Sequence, residues 1–491
     1  MARIVVVGAG LGGLAAAARL VTQGHAVTVL EAADAVGGKL GWHVETTPAG
    51  RFRFDTGPSL LTMPSVFEDL FAATGDPLAA TLPVHRLPDA IRHRFGDGTE
   101  LTTSADAEET YARTDKALGG TAADDWRALI DRGRRMWDLV GERVVTRPLH
   151  LPSLVRASAS DLRTVAPGTS LRKLGRRLLH DARQRTMLER YATYTGSDPR
   201  RAPATLATIP YLEQAEGIWY VDGGLHRLAD ALVARITERG GVVRTGAAVE
   251  QVAVAAGRVD GVLLTDGSRI AADVVVSGID AHRLYRSVVP DISRAPFADS
   301  LSGFTLMLGV RGRTPHLAHH NVLFGASDYD DEFDAVFGSR ARVVQDPVIY
   351  VSAPDDPAVR PAGHEAWFVL VNAARHGTEG RPGTLDWDTP GVASSYVERI
   401  LTLLAARGMP VRERLVSVTH RTPADLARRT GAPGGAIYGA ADHGLRTSLR
   451  RPGSTSPLRG LFLVGGSVHP GGGLPLVVTS GALAAAAIGP A

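Results

Sequence analysis

The chain has no cysteine and only three lysines, at positions 39, 116 and 173. Without a thiol there is no disulfide, thiolate nucleophile, iron–sulfur cluster or Cys-ligated zinc. The remaining basic residues are arginines, a bias read first as codon composition, since no surface needs forked hydrogen bonding at every position. The formal charge is only +3, and no dense basic run carries interleaved aromatics, so nucleic acid is not an expected partner. The sixteen histidines are scattered, none at metal-ligand spacing, and no metal is expected. His319 and His320 are adjacent, so their side chains should diverge, which suits packing or capping better than a metal. There is also no uninterrupted run of about 18 apolar residues, so a spanning helix is not expected. Arg3 ahead of an apolar stretch imitates a secretion signal, but the glycines there recur regularly and no cleavage site is followed by a new start. The expected location is cytoplasmic. At 491 residues the chain is too long for one simple core, and two or three domains follow.

What is present begins at residue 4. Ile4 to Val7 is a β-branched run suited to a parallel strand buried on both faces. Gly8, Gly10 and Gly13 then spell G-x-G-x-x-G, with Leu11 and Gly12 opening an Ala- and Leu-rich helix to Val21. Gly8 permits the turn, Gly10 lets a pyrophosphate approach the backbone, and Gly13 lets the helix pack on the strand. The first N–H groups of that helix would face phosphates. Gly24 should cap the helix, and Ala26 to Leu30 reads as a second strand ending in Glu31, whose carboxylate can accept both ribose hydroxyls. The tail repeats the scheme: Leu461 to Val464 as a strand, Gly465 and Gly466 as a loop, and a small-residue helix from Leu476.

Between these ends lie longer and less regular segments. Residues 76–221 hold amphipathic stretches, and in 170–196 Leu171, Leu174, Leu178 and Leu179 recur at helical spacing among arginines. Such a stripe is either the inner face of a packed helix or a face laid on a membrane surface. After Gly223 and Gly224, Leu225, Leu228, Leu232 and Ile236 mark a helix that ends at Gly240 and Gly241. A strand pair, "VVRTG" and "AVEQVAV", should follow, continued by a small antiparallel meander. "ADVVVSG" (272–278) reads as a buried strand returning to the first sheet. Apolar runs at 300–312, 348–355 and 366–374 suggest a second sheet, the floor of a substrate cavity, and 419–439 a helix with a Gly-rich loop.

Two motifs are more specific. "AADAVGGKLGW" after Glu31 places Gly37, Gly38 and Lys39 behind a five-residue spacer from the acid, and "FRFDTGPSLLTMP" adds a D-x-G-P turn with Gly57 and Pro58. Together with "HPGGGLP" (His469 to Pro475), they resemble the bacterial phytoene desaturase and carotenoid desaturase family within the flavin amine oxidase superfamily. The likeness runs from end to end. Two departures are Lys39, where Arg is usual, and a tail that stops some ten residues after Ser480, which weakens a membrane assignment.

The resemblance implies an α/β fold: a discontinuous Rossmann-like FAD-binding domain (1–75, 222–290, 455–491) and an inserted α+β substrate domain (76–221, 291–454). The substrate domain would hold a hydrophobic tunnel and a helical lid or membrane-facing part near 120–200. It implies FAD as cofactor, held by Gly8, Gly10, Leu11, Gly12, Gly13, Glu31, Gly37, Gly38, Lys39, Gly57, Pro58, Val249, Gly465, Gly466, Gly473, Leu474 and Pro475. Lys39 would put positive charge near phosphate, and Val249 would hold the adenine end through its main chain. It places His469 beside the flavin as the one candidate catalytic residue. Glu213, Glu216, Trp219 and Tyr220 fall in a region approaching the ring, with Trp219 and Tyr220 as apolar faces lining the tunnel.

A flavin takes up the hydride, so the protein needs no nucleophilic triad. The expected activity is FAD-dependent desaturation of a carotenoid or related apolar polyene, with docking at a membrane surface. A saturase, a double-bond isomerase, an amine or small-molecule oxidase and a flavin-binding scaffold without turnover remain open. The polyene, the number of steps, the terminal oxidant and the oligomeric state are not legible.

Overall fold

The β-branched run near the start becomes strand β1 (Arg3–Val7), followed by helix α1 (Leu11–Thr22) and strand β2 (Ala26–Leu30). The computed structural model of the chain describes residues 1–141, 145–147, 158–289, 300–444 and 451–491. β1 is the centre of a five-stranded parallel sheet in the order Leu461–Leu463, Val274–Ser277, β1, β2, Val242–Arg244. Its side chains alternate between two cores, as a strand's must. Ile4 and Val6 face α1, the helix Arg227–Glu238 and the C-terminal helix Leu474–Ile488. Val5 and Val7 face a three-stranded antiparallel sheet, 249–255, 258–264 and 269–271.

One expectation about this region is corrected. Val242–Arg244 does not pair with Val249–Ala255. It lies parallel to β2, with Thr28 opposite Val242 and Leu30 opposite Arg244. The preceding helix supplies the crossover that parallel neighbours require. Val249–Ala255 instead pairs with Arg258–Leu264. The C-terminal helix also starts earlier than expected, at Leu474, with Pro475 in its first turn, where a missing N–H costs nothing.

The two ends of the chain meet through small residues. A Cβ at Gly481 would stand 2.9 Å from the Ala16 nitrogen and 3.0 Å from the Ala15 Cβ, so α1 and the C-terminal helix touch nearly backbone to backbone. A Cβ at Gly13 would collide with the Gly8 carbonyl, which explains the third glycine of the motif by helix–strand packing.

The second sheet has seven strands in the order Leu415–Arg421, Ser302–Arg311, His364–Ala373, Ile349–Ser352, His320–Leu323, Asp89–Arg94, Glu100–Ser104. It is antiparallel except where His320–Leu323 meets Asp89–Arg94. One face, with Phe304, Leu306, Trp367 and Val369, packs on the helix Val392–Ala406 through Tyr396, Ile400 and Leu404. The other, with Met307, Val322 and Phe368, turns toward a helical layer that includes Ala122–Val140, Ala182–Arg190 and Thr208–Glu216.

The arginine-rich stretch 170–196 is two helices, Leu171–Leu178 and Ala182–Arg190, then a 3-10 segment, Tyr191–Thr195. Leu171, Leu174 and Leu179 are buried in the core. Arg172 grips Glu189 in a two-pronged ion pair at 2.8 and 2.6 Å and also reaches Asp330. Here the stripe is the inner face of a packed layer. No helix among the described residues is long and apolar enough to cross a membrane.

Gly481→Val should cost about 1–3 kcal/mol by forcing the first and last helices apart. Thermal unfolding checks this, with a lowered midpoint and reduced retention of cofactor expected; an unchanged midpoint would refute the close-approach argument.

Candidate active site

Three glycine loops converge where α1 begins. The Gly37 N–H donates to the Ala9 carbonyl at 2.8 Å, stitching the G-G-K loop to the first turn. A Cβ at Gly57 would strike the Lys39 carbonyl, so the D-x-G-P turn lies against that loop in turn. Asp55 holds the turn in place by accepting the Leu225 N–H at 2.8 Å. From the other end of the chain, the Gly465 N–H donates to Ser480 Oγ at 2.8 Å, and a Cβ at Gly12 would lie 3.0 Å from the Gly465 nitrogen.

These loops line one cavity of about 1190 Å³ that continues over the second sheet. Gly8, Gly10, Leu11, Gly12, Gly13, Glu31, Gly37, Gly38, Lys39, Gly57, Pro58, Val249, Gly465, Gly466, His469, Gly473, Leu474 and Pro475 all border it. Its nucleotide end has a built polarity. Gly10 caps α1 and Gly473 caps the C-terminal helix, and neither offers a side chain to the first N–H groups. A Cβ at either cap would meet no atom within 4 Å. Two uncapped helix N-termini thus present N–H donors and positive dipole ends to the same space. That arrangement suits an anionic, hydrogen-bond-accepting group that must lie close to the backbone, as a flavin nucleotide must.

Several sequence assignments change in detail. Glu31 spends its carboxylate on the turn: Oε2 accepts the Ala9 N–H at 2.7 Å and Oε1 that of Ala33 at 2.9 Å. Lys39 does not point its ammonium along the glycine turn. Nζ donates to the carbonyls of Ala436 and Ile437, both at 2.7 Å, tying the loop to the segment after residue 430, and burial pulls it down to about 8. His469 is buried, and its Nε2 lies 2.9 Å from the Arg147 carbonyl. A carbonyl only accepts, which commits that nitrogen to donating.

Trp219 and Tyr220 do not line the cavity. They belong to the strand Trp219–Val221, paired with Val84–Arg86, which turns them away. Trp219 Nε1 donates to the Glu216 carbonyl, and the Tyr220 hydroxyl donates to Asp356 at 2.9 Å. Glu216 accepts from Ser65 rather than facing the cavity. His319 and His320 do not diverge: their rings lie 4.4 Å apart. His320 Nδ1 pairs with the Tyr350 hydroxyl at 2.8 Å, and burial holds both imidazoles neutral, His319 near 3.

The far end is an apolar chamber over the sheet, bordered by Ile209, Leu212, Val348, Phe368 and Leu370. Set into it are polar groups, of which sequence reading found only Glu213. Glu213 Oε2 accepts from the Tyr191 hydroxyl at 2.7 Å, its Oε1 is buried without a partner among the described residues, and burial pushes the carboxyl up to about 7. Arg190, Tyr194, Tyr350 and Tyr438 also border the chamber. Burial opposes the charge of Arg190, but Tyr194, Tyr329, Tyr350 and Glu213 around it outweigh that and raise it. Burial also pushes the Tyr438 phenol up to about 12. The available signal was "ERYATYTG": an arginine and a tyrosine four apart at the end of an apolar-faced helix, stopped by Gly196.

Comparison with known proteins gives this geometry its context. Residues 11–311 match the family described as flavin containing amine oxidoreductase. The chain belongs to that family. Relatives include a 4,4'-diapolycopene oxygenase from Methylomonas, 34% identical across 98% of this chain and 97% of that protein. A hydroxyneurosporene desaturase from Cereibacter sphaeroides is 33% identical across 99% and 97%. Among solved structures, a putrescine oxidase variant superposes with a TM-score of 0.66 at 18% identity, covering 99% of this chain and 98% of that one. An oxidoreductase from Methanosarcina mazei gives 0.64 at 18% identity and 99% coverage of both. The fold is therefore that of the flavin oxidoreductases, and the chain is a flavin enzyme.

Two outcomes follow. Gly10→Val should leave unfolding of the apoprotein near that of the parent, since its Cβ meets nothing, while the purified protein loses most of its flavin; absorbance per chain measures this. Glu213 has a folded-state value above its ordinary 4.5, so the stability it contributes is complete below that pH and is lost as pH rises through about 7. The loss amounts to about 3 kcal/mol at most. Glu213→Gln should flatten the fall in melting temperature between pH 5 and 8, and equal slopes in both proteins would contradict the assignment.

Proposed function

We propose that the chain binds FAD and uses it to desaturate a carotenoid-like polyene. The observation that carries this reading is the continuity of the cavity. The same space that begins at the glycine loops runs into an apolar chamber floored by the second sheet. An extended hydrocarbon in that chamber would bring its carbon chain toward the loops without crossing solvent. The cofactor would be held by the N–H groups opening α1 and the C-terminal helix, and by the loops at Gly37–Gly38 and Gly57–Pro58. When bound, the flavin supplies the hydride acceptor.

The protein's own part is positioning and exclusion of water. Phe368, Leu370, Ile209 and Leu212 offer apolar contacts that keep a polyene dry and fixed. Loss of a hydride from one carbon leaves the neighbouring carbon to release a proton. Glu213 borders the chamber, and a carboxyl near 7 divides between its two forms at neutral pH. The relatives named for oxygenation or desaturation of polyenes, matched along nearly their whole length, support the same substrate class.

The test is anaerobic mixing of the purified, flavin-loaded protein with a partly saturated polyene and, separately, with a simple amine. Bleaching of the flavin band by the polyene, with one more conjugated double bond in the product, is expected. Bleaching by the amine alone would replace this reading with an amine oxidase. Double-bond rearrangement without net oxidation would replace it with an isomerase.

A further inference from the structure

Making a double bond removes a hydride and a proton from adjacent carbons. The cofactor takes the hydride, but the proton stays in an apolar chamber and must leave before the next turnover. A second, smaller cavity meets this need. Its volume is about 20 Å³, and it shares two wall residues, Ser59 and Phe368, with the main cavity. Asp55, Tyr220 and Ser352 also border it. A space above about 10–15 Å³ holds one water when two to four polar groups surround it. The size and the lining of this cavity suit a single water.

Hydroxyl groups lead to it from the chamber and away from it toward the surface. Tyr350 borders the chamber, and its hydroxyl lies 2.8 Å from Ser59 Oγ and 2.8 Å from His320 Nδ1. Burial above all raises the Tyr350 phenol, and Glu213, on the same chamber, is near enough to add to that. Tyr350 has one hydrogen to give. When it goes to Ser59, His320 donates from Nδ1, and Nε2 is a bare acceptor. That tautomer strands no donor at Nε2, which is buried without a partner among the described residues. Burial also holds this imidazole neutral, so it does not retain a proton. Beyond the small cavity, the Tyr220 hydroxyl donates to Asp356 Oδ2 at 2.9 Å. Asp356 lies just beneath the surface, next to exposed Asp355.

We propose that one water bound in the small cavity links Tyr350 and Ser59 to Tyr220 and Asp356, and that this row carries the substrate's proton out of the chamber. The breaking carbon–hydrogen bond leaves its electron pair in the new double bond, and Glu213 takes the proton. Glu213 then hands it to the row and returns to carboxylate. Each hydroxyl, and the water, accepts one proton and passes on its own, so none of them becomes charged. The Asp356 carboxylate receives the last proton and releases it to solvent. This exit rests on the oxidative reading above and adds a route to it.

The experiment has two arms. A crystal structure of the flavin-loaded protein should show one water within hydrogen-bond reach of Ser59 and Tyr220; a dry cavity overturns the proposal. Turnover is then followed in mixtures of light and heavy water, using whichever of the polyene and the amine bleaches the flavin, since either would lose a hydride and a proton. The parent's rate should fall along a curve as deuterium rises, because several protons move together. Tyr220→Phe keeps the ring and removes the hydroxyl. Its kcat should fall about 100-fold, the low end for a positioned proton-transfer group, with KM within a few-fold and a linear dependence on deuterium. Ser59→Ala should behave alike, and Ser59→Thr, which keeps a hydroxyl, should recover most of the loss. A straight line in the parent, or a kcat in Tyr220→Phe within a few-fold of the parent, overturns the relay. If neither compound bleaches the flavin, the oxidative reading fails and the relay with it, and the crystal alone decides the water site.

Discussion

The close approach of three glycine loops around the start of α1 is the constraint on which the rest of the structure depends. Gly12 touches the Gly465 backbone, Gly481 touches Ala16, and Gly57 lies against Lys39. None of these contacts leaves room for a side chain. The glycine loops bring main chain rather than side chains to the cavity wall, and Gly481 lets the two helices that open onto it pack closely. The result is a cradle made of backbone, closed by segments from opposite ends of the chain. Two helix N-termini open onto it, and their dipoles reinforce one another toward any anionic or electron-rich edge placed there.

The parallel sheet makes that cradle rigid. β1 is covered on both faces, by helices on one and by the small antiparallel sheet on the other. A loop at the carboxyl end of such a strand has little freedom, which is where an open α/β sheet presents its ligand site. Glu31 adds to this by spending both carboxylate oxygens on the turn's own N–H groups. Lys39 then fastens the cradle to the second part of the fold through the carbonyls of Ala436 and Ile437.

Two buried carboxyls show how local partners decide what burial means. Burial pushes both Glu213 and Glu332 up to about 7. Glu332 is answered on each oxygen, by the Val348 N–H and the Asn372 amide, both at 2.7 Å, and is part of the framework. Glu213 is answered on one oxygen only, and it borders the cavity. The unanswered Glu213 oxygen leaves one hydrogen-bond acceptor at the wall of the cavity, where Glu332 leaves none.

The sequence by itself determined the cofactor end. Strand, glycine turn, helix and second strand follow one another within thirty residues, and local rules of turn and packing govern them. The returning strand at 274–277 and the terminal glycine loop were legible for the same reason, because their patterns are contiguous. Only the tertiary structure decided the rest. Trp219 and Tyr220 looked like tunnel walls, but strand pairing with Val84–Arg86 turned them to other partners. Val242–Arg244 looked like half of a hairpin, but the helix before it delivered it to the edge of the parallel sheet. Arg190, Tyr350 and Tyr438 come from a helix, a strand and a loop far apart in the chain, and no periodicity links them. Their meeting depends on how the second sheet and the helical layer stack, a long-range packing outcome that local spacing does not encode.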